Sequence, residues 1–316
     1  MWLLWACLCI GLLILPFALR DFRVFQLNLV IAYALAILGL NILSGYGGQI
    51  SLGHGAFYAL GAYSAAILMD RFAVPYYATL VPAAALCFAA GVLMGFPALR
   101  LGGHYLALAT FALALAVPQI LKARHIEGWT GGVQGIVLAK PEAPLQVQFL
   151  GEKLSDDRWM YFFSLAVLAL MVWLARNLLD GRVGRAIVAI RDQPIAAASL
   201  GVPLAATKTL TFGVSAAFTG VAGALGAMSV AFVAPDSFPV FLSISFLVGA
   251  VVGGLASIPG AFFGAAFIQF VPNLADQISR SAPWAIYGVF LIALMYAAPS
   301  GIMGILHTLW RGARRW

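Results

Sequence analysis

Between residues 24 and 69 the chain has no Asp, Glu, Lys or Arg, and further charge-free blocks run over 72–99, 209–235, 237–275 and 281–310. A helical crossing of a bilayer takes roughly 20 apolar residues, so blocks of this length belong in lipid, or in protein that is itself within lipid. Of the 316 residues, 63% are hydrophobic and 9% charged, against about 45–50% and about 25% in soluble domains. A water-soluble enzyme is excluded on that ground.

Dividing the blocks at glycines, prolines and polar clusters gives about ten segments, with eight to ten as the range. They run over 2–19, 24–43, 52–69, 76–96, 104–121, 159–175, 209–232, 240–256, 260–275 and 284–298. The expected fold is an all-α polytopic membrane protein with some segments broken, forming one domain over 1–316. The first segment has no Lys or Arg ahead of it and no small-residue cleavage pattern, so it is expected to stay as a helix. Cys7, Cys9 and Cys87 fall inside apolar segments and read as small hydrophobes. The net charge of +7 comes without a basic stripe interleaved with aromatics. It fits a membrane partner of anionic lipid and not a nucleic acid.

Two stretches lie outside the apolar segments. Residues 122–158 carry five basic and five acidic side chains, whereas 176–208 carry Arg176, Arg182, Arg185, Arg191 and Lys208 against Asp180 and Asp192. The basic excess of the second stretch, with Arg311, Arg314 and Arg315, predicts the cytoplasmic side for it and the periplasmic side for 122–158. Over all loops of the ten-segment arrangement, Lys and Arg divide nine to nine, with Arg20 and Arg23 on the outer side. A re-entrant break near 45–55 would reverse that parity and bring both arginines inside.

That break is Gly45-Tyr46-Gly47-Gly48-Gln49-Ile50-Ser51-Leu52-Gly53-His54-Gly55. Each of its five glycines disfavours helix by about 1 kcal/mol relative to alanine, so the chain unwinds there. Unwound backbone at membrane depth needs protein or a cavity beside it. On that argument Asn41, Gly48, Gln49, Ser51, Gly53 and His54 are candidates for a solute pathway, and a short aqueous turn is the alternative. A second glycine-rich break, 253–263, repeats the first in part, since Gly260-Ala261-Phe262-Phe263 echoes Gly55-Ala56-Phe57-Tyr58. Paired breaks of this kind suggest an internal repeat. The spacings Gly249 to Gly253, Gly260 to Gly264 and Gly220, Gly223, Gly226 read as close helix packing.

No long block holds an Asp, Glu, Lys or Arg that could bind a driving proton or sodium ion, and His54, a lone histidine among glycines, reads as a hydrogen-bonding residue, which puts the coupling machinery on another chain. In the loop 181–201, Asp192 is a candidate helix cap, Pro194 suits a first turn and Gly201 a stop, predicting a short exposed helix over about 193–200. Two alanine-rich turns cannot hold themselves in water, so the helix needs a packing partner.

These motifs together resemble the permease subunits of branched-chain amino acid ABC importers, the LivM type. GYGGQISLGHGAF, the WTGG loop at 129–132, GRAIVAIRDQPIAAASLG and APDSF followed by GGLASIPGAFFGA occur in the family's order, over about residues 27–304. The resemblance implies a multi-pass protein of the bacterial inner membrane that moves branched-chain amino acids inward. It implies four kinds of partner: a second, LivH-like permease subunit, two cytoplasmic ATPases, a periplasmic solute-binding protein and membrane lipid. ATP and Mg would bind the ATPases; the chain itself would have no cofactor, no metal and no catalytic residue. By match to the family's docking loop, Gly184, Arg185, Arg191, Asp192, Ala196, Ala197 and Gly201 inherit contact with the ATPases. Gln193, Pro194 and Ala198 stand where such loops often carry acidic residues. The loop 176–208 is thus the expected docking loop, distant from the break at 45–55. Importers of urea, short amides or aromatic acids are alternatives within the family, and a self-sufficient channel or facilitator is one outside it. HExxH, paired-carboxylate and GxSxG patterns are absent.

Overall fold

The computed structural model describes residues 11–100, 103–142, 148–149, 152–153, 155–278 and 283–313. Most of the expected segment 2–19, with Cys7 and Cys9, and also Arg314 and Arg315, lie outside the described residues. Helix α1 spans Asp21–Asn41 and passes into a π-helical turn, Ile42–Tyr46; α2 spans His54–Phe72, α3 Leu80–Arg100, α4 Gly103–Leu121 and α5 the single turn Glu127–Thr130. There follow α6 Asp156–Asp180, α7 Arg182–Asp192, α8 Pro194–Ser199, α9 Leu204–Val230, α10 Val240–Gly253, α11 Gly260–Ile278, α12 Pro283–Ala297 and α13 Gly301–Ala313. Every expected segment from 24–43 onward coincides with a helix, its ends displaced by at most five residues.

Among the described residues, six stretches are long and apolar enough to cross a membrane: Asp21–Tyr46, Tyr76–Phe96, Asp156–Asp180, Leu204–Val230, Pro235–Gly253 and Ala285–Thr308. Tyr105–Leu121 is a shorter apolar helix. Helices α2 and α11 have 19 residues each but are diluted by glycine, histidine, glutamine and asparagine. The protein is an all-α polytopic membrane protein.

Helix α9 is the axis of the bundle, packed on α1, α2 and α3. Its middle is rich in Gly, Ala, Ser and Thr, with Phe212, Phe218, Val221 and Leu225 among them, and is almost wholly buried. One glycine from each neighbour meets it: Gly39 of α1 at Ser215 and Thr219, Gly61 of α2 at the Gly220 backbone, and Gly91 of α3 at Ala216 and Gly213. Lipid gives apolar side chains no reason to leave it for each other, so close backbone packing of this kind is what holds such helices together. The expected role of Gly220 and Gly223 is found here, with Gly223 against the Tyr58 backbone. The spacings in the second half pair antiparallel, Gly249 with Gly264 and Gly253 with Gly260, closing α10 and α11 into a tight hairpin.

The two non-membrane stretches occupy opposite ends. The starts of α1 and α6 meet through Ser155 Oγ donating to Asp21 Oδ1 at 3.1 Å and Arg158 beside Asp21 at 3.6 Å. Arg71 at the end of α2 donates to Gly128 O at 2.6 Å, and Lys122 pairs with Asp236 at 2.5 Å. Residues 136–137 pair antiparallel with 232–233, just past α9. Arg20 and Arg23, flanking Asp21, therefore share the end that holds 122–158, and the parity-reversing form of the break does not occur. At the other end lie the termination of α1, α6 and α10, the start of α9, and the corner α7–α8.

Candidate functional site

The corner begins where α6 stops. Gly184 is buried with its α-carbon against the Leu179 backbone, so it fixes the turn from α6 to α7 and offers no surface to a partner. Gly184, Ile187 and Ile190 form the buried face of α7, at the spacing of an amphipathic helix. Arg185 turns back to the Asp180 carbonyl at 3.3 Å. Pro194 takes the first position of α8, as expected, and Gly201 ends it at φ +84°, in the left-handed region that glycine enters without strain. The expected Asp192 cap is not formed. Asp192 is the last residue of α7, and its carboxylate is held by Arg191 Nε at 2.8 Å.

Helix α8 buries only Ala197, leaving Asp192, Ala196 and Gly201 exposed. Beside them stand Ile195, 86% exposed, and Leu200, 85% exposed. The sequence reading missed both, although two large apolar residues in a segment outside the charge-free blocks were a usable signal. They form the most protruding apolar surface of the corner.

The inner part of the break 45–55 is packed in protein. Ser51, Gly53 and His54 are buried, and His54 meets Ser215 near the middle of α9. Hydroxyls replace the missing helical ladder. Leu52 N donates to Thr110 Oγ1 at 2.9 Å, Gly53 N to Ser51 Oγ at 3.3 Å and Gly55 N to Ser243 Oγ at 2.8 Å. Gly47 and Gln49 donate to the carbonyls of Ile42 and Leu43 at the end of α1. Buried backbone groups must be paired, and here protein supplies the partners. Ser215 and Ser243, two functional partners that the sequence reading did not single out, were visible only as lone hydroxyls in apolar helices.

His54 is fully committed within this network. Ser215 Oγ donates to Gly39 O at 2.6 Å, so it must accept from His54 Nε2 at 2.7 Å; Nδ1 then accepts from Ser51 Oγ at 3.1 Å. The imidazole is a neutral strut that ties the start of α2 to α9 and, through Ser215, to α1. Gly48, by contrast, is exposed and Gln49 half-buried.

Asn41 joins the two breaks. Its Nδ2 donates to Ser257 O at 2.8 Å, and its Oδ1 accepts from Ala256 N at 2.7 Å. The corner reaches the same place: Arg191 Nη1 donates to Gly45 O at 3.1 Å, and its aliphatic stem lies over Gly48, where a Cβ would come within 2.7 Å of Cγ. The expected separation of docking loop and break is therefore overturned. Unwinding at Gly45–Gly48 leaves a carbonyl at the end of α1 unpaired by helix, and a cation from α7 fills that position.

The family described as branched-chain amino acid transport system / permease component matches residues 23–299. The high-affinity branched-chain amino acid transport system permease protein LivM of Escherichia coli K12 is 32% identical over 306 residues, covering 91% of this chain and 71% of that protein. LivH of the same strain is 27% identical, covering 86% and 91%, and the probable LivH of Methanocaldococcus jannaschii 23%, covering 79% and 82%. No solved structure matches the chain. With a family match over most of its length and a LivM relative aligned over 91% of this chain, this multi-pass inner-membrane chain belongs to the permease components of branched-chain amino acid transport systems.

Proposed function

We propose that the chain is the LivM-like, non-catalytic transmembrane subunit of an ATP-driven importer that passes branched-chain amino acids from a periplasmic binding protein to the cytoplasm. A LivH-like permease completes the pathway, and two cytoplasmic ATPases, which bind ATP and Mg, dock on the corner α7–α8. The observation that carries this reading is the corner itself: a compact pair of short helices outside the apolar segments, showing Ile195, Ala196, Asp192 and Leu200 to solvent. An apolar knob with a carboxylate beside it suits a groove on a soluble partner better than it suits water.

Within this reading the seven docking candidates divide. Asp192, Ala196 and Gly201, with Ile195 and Leu200, touch the ATPase; Gly184 and Ala197 are buried and shape the surface from behind, and the exposed Arg185 and Arg191 bond the Asp180 and Gly45 carbonyls. The pathway candidates divide too. Gly48 and Gln49 stand at the cytoplasmic mouth of the solute route, while Asn41, Ser51, Gly53 and His54 hold the wall. With no charge in the apolar blocks to hold an amino acid's two ionic groups, selectivity rests with the binding protein.

Co-purification tests the reading. ATPase subunits expressed with this chain and its permease partner should be retained by wild type and lost on Ile195→Asp with Leu200→Asp. A cysteine at Thr130 should react with an impermeant reagent in intact cells, and one at Gln193 should not. Full-rate solute movement by the isolated chain in liposomes without ATP would establish the channel reading instead.

A further inference from the structure

Two cations of the corner bond backbone carbonyls, and they do so differently. Arg185 folds back onto Asp180, at the end of the helix to which α7 is joined. Arg191 reaches 146 positions along the chain, to Gly45 O at the end of α1. Its guanidinium also holds Asp192 at 2.8 Å, its stem covers Gly48 at φ +65°, and its side chain is one-third exposed. A planar fork with several donors can hold a carboxylate and a carbonyl at once, which a lysine ammonium on the same stem does less well. Gly45 in turn is wedged between the Asn41 carboxamide and the Ala256 backbone nitrogen, and Asn41 bridges to Ala256 and Ser257 in the second break. A continuous run of contacts thus goes from α7, through Arg191 and Gly45, to Asn41 and the loop between α10 and α11.

We propose that Arg191 is a positioning residue that ties the α7–α8 corner to both glycine-rich breaks, so that displacement of the corner moves the ends of α1 and α10 together. This rests on the ATPase-docking reading of the corner. Beyond its covalent corners, α7 packs on α9 and on the π-helical turn that ends α1; the Arg191 bond adds a directed hold on that turn. The arrangement meets the requirement that coupling travel through packed, bonded groups with discrete positions.

The test uses the assembled transporter in proteoliposomes, with radiolabelled leucine and the binding protein, and compares wild type, Arg191→Gln and Arg191→Lys. Three quantities are read: ATPase subunits retained on purification, ATP hydrolysis, and leucine moved per ATP. Arg191→Gln should retain the ATPases and hydrolyse ATP within about twofold of wild type, while leucine moved per ATP falls roughly tenfold, the size of an ordinary coupling between sites. Arg191→Lys, which keeps one donor and the charge, should recover part of that ratio. An unchanged ratio in Arg191→Gln overturns the proposal, and loss of the ATPases from that variant overturns it in favour of direct contact by Arg191. Should Arg191→Gln fail to assemble, Arg191→Lys, which keeps the charge and loses the planar fork, must itself lower the ratio for the proposal to stand. Failure of wild type to retain ATPases would instead remove the docking reading beneath it.

Discussion

The two glycine-rich breaks, with five glycines in residues 45–55 and three in residues 253–263, use glycine differently. In the second, glycines serve approach: Gly253 faces Gly260, Gly249 faces Gly264, and the chain turns at the surface with Leu255 half exposed. In the first, the chain leaves the end of α1, touches α7 at Gly48, and re-enters the bundle to begin α2 beside Ser215. There glycine loosens the helix, and hydroxyls from α4 and α10, with Ser51 itself, take over its bonds. Strain lies on the other side of the pair. Ala256 sits at φ +59°, a conformation costly for a residue with a Cβ, and the Asn41 bond to its nitrogen helps hold it. Glycine content in a membrane segment thus announces a departure from the ordinary helix without saying which kind.

The contrast can be broken experimentally, and the hairpin offers the largest effect. Gly264→Leu should force α10 from α11 at a backbone contact, costing about 3 kcal/mol or more, read as loss of monodisperse protein after mild heating in detergent; a wild-type heating curve would refute the close-approach account. Asn41→Leu strands Ala256 N and Ser257 O and should cost about 2–4 kcal/mol, again by thermal denaturation, and should loosen both breaks where a local role would loosen one. His54→Ala removes two bonds of the first break only and should cost about 1–3 kcal/mol, with the hairpin unaffected in hydrogen exchange. The mildest probe leaves stability alone. A cysteine at Gln49 should be alkylated in folded, purified protein and one at Ser51 should stay protected until denaturation; equal reactivity would return the first break to an aqueous turn.

Most of the architecture was legible because lipid imposes a simple rule on sequence. Long charge-free blocks located the helices from residue 24 onward, and Pro194 and Gly201 bounded α8. The corner's helix α7 escaped notice because its apolar positions, Ile187 and Ile190, sit among arginines in a stretch that reads as loop. Asp192 was misassigned as a cap because a carboxylate two residues before a proline suits that role, whereas Gln193 holds the cap position and Arg191 holds the carboxylate. The candidate site was legible as a set of residues and not as an arrangement. Asn41, Gly48 and His54 stood out as pathway candidates, yet nothing along the chain reveals that position 191 lies against 45, or 41 against 257.

The smooth contact surface of α9 bears on how such a bundle can move. Where large side chains interlock, shifting one helix past another requires each to leave its rotamer well. Along α9 the facing groups at Gly39, Gly61 and Gly91 have no rotamers, and those at Ala216, Gly220 and Gly223 have none either. Sliding at those points changes no side-chain torsion, but Phe212, Phe218, Leu225 and Met228 of the same helix are buried among its neighbours and would have to move with it. The central helix thus joins glycine tracks, where backbones pass closely, to bulky buried side chains and the hydroxyl bonds of Ser215 that hold it in one setting.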